Sequence, residues 1–379
     1  MNEFGPSLGA AETAVSLPPE VFRSDTFYKF ELDAIWGHEW FCVGRATDIP
    51  DTGDYFTVMV GEDPLVVVRG SDGDVRVLAN VCRHRAMAVA EGTGNVRLFR
   101  CPYHSWVYGL DGTLRSAPGL NDAFVTSEVR LPQVRSAIWE GFVFVTFDPG
   151  LPPLAGRLGR LERQLANWGL GELRSAAKPR FTRYDFNWKV FTDECYHCQH
   201  LHRKTWHQMF PTPGSRIDYH TPLNDEANGI IAYELAGEAE GASPTRTKRN
   251  LQPLLPGLTA AQRARLVYVT VAPNLLIIAM PDKVKYFLWL PAGPTAALFN
   301  VAWLYPESTL GRPEFEDEWK READDLAVVL HEDEYAWHAV QRGMRSRFAP
   351  RGRYAPSEQM LVKLNHWLIG KYQDEDQRA

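Results

Sequence analysis

The sequence predicts an α+β protein of two domains, an antiparallel β domain followed by a larger domain in which an antiparallel sheet is flanked by helices. Three observations lead to this prediction. The chain has 379 residues, which is enough to bury two cores. Short β-type runs separated by glycine turns fill residues 41 to about 147. Helical periodicity dominates the last part of the chain, at residues 314–345 and 357–372.

These changes of pattern set the expected domain boundaries. We expect residues 1–40 to form an N-terminal arm and helix that packs on the larger domain. The β domain is expected at 41–150 and the larger domain at 151–379, with a Pro- and Gly-rich linker at 148–160.

Composition narrows the class of protein. The net charge of -6 argues against nucleic acid or an anionic membrane as a partner. Five cysteines are too few, and odd in number, for a disulfide framework in a chain of this length. No basic start precedes an apolar run near the N-terminus, and the apolar run 275–280 is far short of a membrane span. We therefore expect a soluble cytoplasmic protein.

Individual elements follow from local patterns. Residues 1–16 are small and polar, which predicts a disordered arm. A helical segment is expected within 17–40, and strands at 55–60, 64–69, 75–78 and 142–145. In the larger domain we expect a helix at 161–168 ended by Gly169, and mobile loops over a pocket at 211–253. Strands are expected at 267–280, 284–290 and 298–305.

Two short motifs in the β domain combine sulfur and nitrogen ligands. Cys82 and His84 form C-x-H, and Cys101 and His104 form C-x-x-H. Two thiolates on one iron and two imidazoles on the other would hold a [2Fe-2S] cluster. A Cys2His2 zinc site is the alternative, but zinc fingers usually pair Cys with Cys and His with His. The mixed halves favour the cluster.

A second group of histidines lies in the larger domain. His197 and His202 are spaced as H-x4-H, with His200 between them. Two histidines and a carboxylate from elsewhere in the chain would form a facial triad for non-heme Fe(II), with positions left open for O2 and substrate. The plain alternative is that these are surface or core histidines without a metal.

Together the two motifs resemble the oxygenase α subunit of Rieske non-heme iron oxygenases, the ring-hydroxylating oxygenase family, over nearly the whole chain. The resemblance implies a Rieske [2Fe-2S] domain and a catalytic domain of the helix-grip (START-like) type. It assigns His197, His202 and Asp333 to the mononuclear iron. Glu332 and Glu334 are alternatives for the third ligand, and all three acids could instead be a solvated helix face.

The resemblance also implies a role for Glu194, as the carboxylate that bridges the iron site to a cluster histidine of a neighbouring subunit. The segment before Glu194 is about three residues shorter than the family pattern, which puts the local helix geometry in question. Ala86 and Ser105 replace two glycines that are usual in the cluster loops. Their steric cost is modest unless φ must be positive.

As a family member, the chain would use O2, with electrons from NAD(P)H delivered by a separate reductase, with or without a ferredoxin. A head-to-tail homotrimer is also implied. The runs 80–85, 101–106 and 194–198 resemble the choline and glycine-betaine monooxygenase branch, which predicts hydroxylation or oxidative N-demethylation of a quaternary ammonium compound. Such a substrate needs an aromatic cage, for which the candidates are Trp206, Phe210, Tyr268, Phe287, Trp289 and Trp303.

Three alternatives remain at this point. The chain could be the α subunit of an aromatic ring-hydroxylating dioxygenase, which would use the same aromatic residues for stacking. It could be a non-catalytic Rieske electron carrier, although such a carrier would end near residue 150. A metal-dependent hydrolase at His197, His202 and Asp333 would need no cluster.

Overall fold

The computed structural model describes residues 2–120, 124–178, 180–196, 217–236 and 250–378. The chain divides into two compact units. We call residues 36–154 the β unit, and residues 1–35 with 155–379 the mixed unit. Sheets and helices are both present, so the predicted α+β class is confirmed.

The β unit is built from ten short strands in two antiparallel sheets. A seven-stranded sheet has the order β1-β10-β9-β4-β3-β2-β5, and a three-stranded sheet has the order β6-β7-β8. The four strands that the sequence predicts in this region are confirmed. The strands are β1 Phe41–Arg45, β2 Asp54–Val60, β3 Asp63–Arg69, β4 Val75–Ala79, β5 Thr93–Asn95, β6 Phe99–Arg100, β7 Val107–Tyr108, β8 Leu114–Ser116, β9 Gln133–Trp139 and β10 Phe142–Thr146.

One core joins the two sheets of the β unit. Val66 and Leu78 from the large sheet lie in the same buried cluster as Phe99 and Tyr108 from the small one. Cys82 and Cys101 belong to this cluster as well. The apolar faces of the sheets therefore hold the two cluster motifs side by side.

The mixed unit contains an eight-stranded antiparallel sheet in the order β11-β18-β17-β16-β15-β14-β13, with β12 also paired to β18. Its strands are β11 Arg174–Ser175, β12 Thr182–Tyr184, β13 Ile217–Asp218, β14 Ile230–Ala236, β15 Arg265–Val271, β16 Leu275–Ala279, β17 Val284–Gly293 and β18 Ala296–Tyr305. The helices are α1 Asp25–Glu31, α2 Leu154–Leu165, α3 Trp188–Tyr196, α4 Ala260–Arg263, α5 Glu307–Leu310, α6 Phe315–Met344 and α7 Gln359–Arg378. The two long C-terminal helices that the sequence predicts are confirmed.

Helix α6 lies along one face of this sheet. At its N-terminal end Trp319 contacts Trp303 of β18, with 6.3 Å between ring centroids. At its C-terminal end Trp337 lies 6.4 Å from Phe299 of the same strand. Phe191 of α3 lies 4.3 Å from Phe299 and 5.2 Å from Trp337. Helices α3 and α6 therefore meet over the same part of the sheet.

The expected disorder of residues 1–16 is wrong for the described residues 2–16. A 3-10 helix spans Asn2–Leu8, and the Phe4 side chain is only 6% exposed. Its ring lies 5.5 Å from Tyr372 of α7 and 6.2 Å from Phe27 of α1. The segment is ordered because an apolar side chain among small polar ones packs against α1 and α7, which are distant in the sequence.

Three further expectations need correction. Helix α2 begins at Leu154, inside the predicted linker, because leucines at i, i+4, i+7 and i+11 form one buried stripe that the intervening glycines obscure. The predicted loop region 211–253 contains β14, which pairs with β15 along its whole length. Residues 211–216 and 237–249 of that region lie outside the described residues. The predicted strand 267–280 is two strands, β15 and β16.

A buried ion pair fixes the start of α3. Lys189 Nζ lies 2.7 and 2.8 Å from the carboxylate oxygens of Glu31, and both side chains are 1% exposed. The same carboxylate accepts hydrogen bonds from Trp188 Nε1 at 2.9 Å and from the Tyr372 hydroxyl. Burial and the neighbouring Glu31 raise the pKa of Tyr372 well above its usual value, so its hydroxyl keeps its proton. One carboxylate thus joins α1, α3 and α7.

Among the described residues, no helix combines the length and the apolar character that a membrane crossing requires.

We predict that Lys189→Met lowers the free energy of unfolding by about 3–5 kcal/mol, because it leaves the Glu31 carboxylate buried without its cation. Urea unfolding followed by far-ultraviolet circular dichroism measures the change. The double variant Glu31→Gln with Lys189→Met is the control, and it should recover part of the loss. A loss below about 1 kcal/mol for Lys189→Met would contradict this account of the pair.

Candidate cluster and iron sites

Two loops of the β unit present the predicted cluster ligands. The loop between β4 and β5 carries Cys82 and His84. Its turn is closed by two backbone hydrogen bonds. Ala86 N donates to Cys82 O at 2.9 Å, and Cys82 N donates to Met87 O at 2.8 Å. The carbonyl and the amide of the cysteine are both satisfied within the turn, which holds its side chain in a fixed direction.

The loop between β6 and β7 repeats this arrangement. Ser105 N donates to Cys101 O at 3.0 Å, and Cys101 N donates to Trp106 O at 2.8 Å. His104 is the third residue after Cys101, whereas His84 is the second after Cys82. The two motifs thus fold into turns with matching hydrogen bonds.

Both turns need a left-handed residue at the same place. Ala86 has a φ of 61° and Ser105 a φ of 59°. This region is strained for any residue with a Cβ, at roughly 1 kcal/mol each. The positions at which the sequence departs from the family's glycines are therefore positions where glycine is the unstrained choice.

The four side chains fit a cluster with mixed ligands. Cys82 and Cys101 are buried thiols, 3% and 2% exposed. The rings of His84 and His104 lie 4.6 Å apart between centroids. The Nδ1 atoms of both histidines are buried and make no hydrogen bond in the described part of the chain. Two buried thiols beside two orphaned imidazole nitrogens are the donor set that a Rieske-type [2Fe-2S] cluster requires.

Neighbouring rings restrict the two histidines. Trp106, which is 5% exposed, stacks on His84 at 4.9 Å and 8°. Tyr103 lies 3.8 Å from the His104 ring. The pKa of His104 is below its usual value, mainly because of burial and further because of His84 and Arg85. A lowered pKa keeps this imidazole neutral, which is the form that binds metal.

Tyr108 is a functional residue that the sequence reasoning missed. Its oxygen accepts a hydrogen bond from Arg83 N at 2.9 Å and lies 3.2 Å from Cys82 Sγ. Burial raises the pKa of Tyr108, and the contact with Cys82 raises it further, so the hydroxyl stays protonated and can donate to the sulfur. Such a hydrogen bond tunes the potential of an iron–sulfur cluster. Only the pairing of β6 with β7 brings this hydroxyl to the first loop.

Asn80 was also missed as a positioning residue. Its Oδ1 accepts from Val89 N at 2.8 Å and Ala90 N at 3.0 Å, and its Nδ2 donates to Ala90 O at 2.8 Å. The side chain thereby ties both ends of the first cluster loop together. An asparagine at the end of a predicted strand signals a turn, but not these long-range partners.

The iron ligands predicted from H-x4-H, His197 and His202, lie outside the described residues. Glu194 belongs to α3, and its side chain also lies outside the described part. The start of α3 is described: Asn187 Oδ1 accepts from Lys189 N at 3.0 Å and caps the helix. Asn187 N in turn donates to Gln341 Oε1 at 2.7 Å, which connects α3 to α6.

The predicted third ligand, Asp333, lies on α6 one turn before Trp337. Because residues i and i+4 share a helix face, Asp333 is on the side of α6 that packs on the sheet and α3. Its Oδ1 atom is buried. Glu334, the next residue, lies about 100° further around the helix, and its Oε1 atom is 3.6 Å from His338 Nε2 on the same helix. This placement favours Asp333 over Glu334 as a residue directed inward.

Four of the six predicted cage residues are described, and all four share one face of the sheet. Lys285 pairs with Trp303 on one side and with Ile278 on the other, and Ile278 pairs with Tyr268. Phe287 and Trp289 follow Lys285 on the same face because side chains alternate along a strand. Trp206 and Phe210 lie outside the described residues. Part of this set is core, since Phe191 of α3 packs on Trp289 at 5.1 Å.

We predict that Ala86→Gly and Ser105→Gly each raise the free energy of unfolding of the cluster-loaded protein by roughly 1 kcal/mol, because glycine removes the strain of a left-handed backbone. Loss of visible absorption in urea reports unfolding of the β unit. Ala327→Gly, at an exposed position within α6, is the matched control and should lower stability by about the same amount. Destabilisation by both loop variants would show that the turns are not strained.

Two family models match the chain. The model for the ring hydroxylating alpha subunit (catalytic domain) matches residues 165–374, more than half of the 379 residues. The model for the Rieske [2Fe-2S] domain matches residues 39–134.

Curated relatives of two kinds are similar to the chain. The glycine betaine monooxygenase oxygenase subunit of Chromohalobacter salexigens is 28% identical over 369 residues, covering 90% of this chain and 82% of that protein. The chloroplastic choline monooxygenase of Arabidopsis thaliana is 27% identical, covering 95% and 83%. The biphenyl 2,3-dioxygenase subunit alpha of Rhodococcus jostii is 38% identical, but over only 38% of this chain and 32% of that protein.

Solved structures share the fold. The quaternary ammonium Rieske monooxygenase CntA superposes with a TM-score of 0.77 at 20% identity, covering 96% of both chains. Naphthalene 1,2-dioxygenase from Rhodococcus sp. gives a TM-score of 0.74 at 21% identity, covering 93% of this chain and 94% of that one. The architecture is therefore that of a Rieske domain with a helix-flanked catalytic sheet. By the family match over more than half of its length, the chain belongs to the ring-hydroxylating oxygenase α-subunit family.

Proposed function

We propose that this chain is the oxygenase component of a Rieske non-heme iron monooxygenase that oxidises an N-methyl or neighbouring C–H group of a quaternary ammonium compound. One observation carries the choice of substrate class. Similarity to the glycine betaine and choline monooxygenases extends over 90% and 95% of the chain, whereas similarity to the biphenyl dioxygenase covers 38%. Substrate choice is made by the catalytic domain, so similarity over the whole chain is the better guide.

In this proposal Cys82 and Cys101 hold one iron of the cluster, and His84 and His104 hold the other. When bound, the cluster supplies single electrons and the mononuclear Fe(II) supplies the site of O2 activation. The protein controls the surroundings of these groups. Tyr108 donates a hydrogen bond to the Cys82 sulfur, and Trp106 shields the His84 ring from water.

The proposed mononuclear site consists of His197, His202 and Asp333, with Glu194 linking it to a cluster histidine of a neighbouring subunit. The buried Oδ1 atom of Asp333 supports its part in this set. The network around Glu31 and Lys189 holds the N-terminal end of α3, and Asn187 and Gln341 tie that end to α6. These contacts keep the start of α3 and helix α6, which carries Asp333, in a fixed relation within the mixed unit.

The aromatic face of the sheet would hold the substrate. A quaternary ammonium group is attracted to aromatic faces, by about 0.5–2 kcal/mol for each ring. Phe287 and Trp303 lie on this face beside α6 and are 7% and 9% exposed, which keeps water away from the bound group. Hydroxylation of an N-methyl group consumes O2, two electrons and two protons, and gives the N–CH2OH product and water. The N–CH2OH product then breaks its C–N bond, with the electron pair passing to nitrogen, and releases formaldehyde, a proton and the demethylated amine.

The partners follow from the chemistry. Electrons would come from NAD(P)H through a separate reductase, with or without a ferredoxin. A head-to-tail homotrimer would bring each cluster to a neighbour's iron, and the CntA structure is described as revealing inter-subunit electron transfer in that protein. Three buried free thiols are compatible with a reducing compartment, and we propose the cytoplasm.

A second candidate within the same family is hydroxylation of an aromatic ring. The identity to the biphenyl 2,3-dioxygenase subunit alpha, 38% over 147 residues, favours it. The same level of identity holds for an N,N-dimethyl phenylurea N-demethylase subunit alpha over 151 residues, so this partial similarity does not separate ring hydroxylation from N-demethylation. The substrate assay must therefore include both classes.

Anaerobically purified protein, supplied with a reductase and NADH, tests the proposal. We expect about three irons per chain, two in the cluster and one at the mononuclear site, and the EPR signal of a mixed His/Cys cluster after reduction. Choline, glycine betaine and carnitine, compared with biphenyl and naphthalene, should give formaldehyde or a hydroxylated product from the ammonium compounds only. Turnover of only the aromatic hydrocarbons would replace the proposed function by the second candidate. A colourless, zinc-containing protein would exclude both.

We predict that Asp333→Asn removes the mononuclear iron and lowers turnover at least about 100-fold, because it replaces an anionic ligand by a neutral amide. Iron counts should fall from about three to about two per chain, with the EPR signal of the cluster unchanged. Glu332→Gln and Glu334→Gln, on the same turn of α6, are the matched controls. Loss of one iron from either control, with full occupancy in Asp333→Asn, would move the ligand to that glutamate.

A further inference from the structure

Lys285 is a buried cation for which the described residues provide no acceptor. Its side chain lies in β17, and the residue is 8% exposed. No hydrogen bond or ion pair to Lys285 occurs among the described residues, and its closest aromatic neighbour is Trp303, whose ring centroid is 5.6 Å from Nζ. A buried lysine is normally paired, because an isolated charge is costly away from water.

Lys283, two residues earlier in the chain, is a buried lysine that is paired with acids. Lys283 Nζ lies 2.9 Å from Asp282 and 2.8 Å from Glu322, and the second oxygen of Glu322 accepts from the Tyr305 hydroxyl at 3.0 Å. Both acids therefore already bond Lys283. Lys285 feels their charge but makes no direct bond with either.

The charge state of Lys285 reflects this position. Its pKa is lowered to about 8, mainly by burial and also by Lys283, against the opposing effect of Glu322 and Asp282. The amine is still mostly protonated at neutral pH. Lys285 is therefore a buried cation that forms no ion pair with the described residues.

Lys285 shares a sheet face with the aromatic residues near the proposed iron site. Phe287 is two residues further along β17, a rise of about 7 Å. Helix α6 runs over this face, with Glu322 beside Lys283 and Trp337 beside Phe299. Asp333 lies between those two contacts on α6, eleven residues after Glu322 and four before Trp337. By this spacing, Lys285 lies a few residues along β17 from the position that faces Asp333.

We propose that Lys285 binds the carboxylate of the substrate, so that this enzyme acts on a zwitterion with a quaternary ammonium group at one end and a carboxylate at the other. This inference rests on the proposed function and deepens it. The ammonium end would lie on the aromatic face nearest Asp333, and the carboxylate would accept a charge-assisted hydrogen bond from Lys285. An alcohol such as choline satisfies the ammonium site but leaves Lys285 without its anion.

Binding of a matched pair of ligands tests this assignment. Glycine betaine and choline differ in a carboxylate against a hydroxymethyl group, and isothermal titration calorimetry of the iron-loaded protein measures both. We expect wild type to bind glycine betaine at least about tenfold more tightly than choline. Lys285→Met should remove this preference by weakening glycine betaine alone, while choline binding stays within about twofold.

Three further variants separate binding from structure. Lys285→Arg keeps the cation and should keep most of the preference, and Lys285→Gln replaces Lys285→Met if the latter does not fold. Lys320→Met removes an exposed lysine of α6 and should leave both affinities unchanged. No preference for glycine betaine in wild type, or an equal loss for both ligands in the folded Lys285 variant, overturns the assignment.

A second ligand pair separates this inference from the function on which it rests. If wild type binds neither ammonium compound, benzoate and benzyl alcohol are titrated in the same way. Binding of benzoate that depends on Lys285 would mean that the ammonium substrate is wrong and the carboxylate site is right. Binding of neither benzoate nor the ammonium compounds would overturn both.

Discussion

The mixed unit depends on one buried carboxylate, Glu31. Its two oxygens take the ammonium of Lys189, the indole N–H of Trp188 and the hydroxyl of Tyr372. Each of these partners comes from a segment that is far away in sequence, so none can leave without stranding a charge or a polar group in the core. The helix that leads toward the predicted iron histidines therefore starts from a point fixed by the N-terminal arm and the C-terminal helix. Order in residues 2–16 follows from the same docking, since Phe4 packs on Tyr372.

The two cluster loops combine hydrogen bonds that make them rigid with backbone strain that lowers their stability. Two non-glycine residues are held in the left-handed region, while the backbone N–H and C=O groups of both cysteines are hydrogen-bonded. Asn80 and Tyr108 add bonds that close the first loop from both sides. These bonds restrict movement of the loop, which would suit a group that passes single electrons. The surrounding core, which includes both cysteines, supplies the packing that tolerates the strain.

Much of this organisation could be predicted from the sequence, and the failures have physical causes. Ligand motifs are local, so Cys82 and His84, with the matching pair in the second loop, can be predicted as cluster ligands directly from the sequence. The strands of the β unit and the long helix α6 were also found, since period-2 and period-3.6 patterns are local as well. The missed features are all non-local. Glu31 is separated from Lys189 by 158 positions and Tyr108 from Cys82 by 26, and no periodicity encodes such pairs. Residues 2–16 and helix α2 were misjudged because small residues diluted an apolar pattern that only the folded surface completes.

Two buried lysines, Lys283 and Lys285, lie at one face of the sheet in the mixed unit and differ in their partners. At the Lys283 end, Lys283 is paired with Asp282 and Glu322, and the Tyr305 hydroxyl donates to Glu322. At the Trp289 end, aromatic rings from the sheet, α3 and α6 contact one another. Lys285 lies between this polar network and these aromatic rings. A protein that needed only stability would replace such a lysine by an apolar residue of the same size, because burying an uncontacted ammonium gains nothing for the fold. Its presence beside the helix that carries Asp333 is therefore explained by a ligand that brings the missing anion.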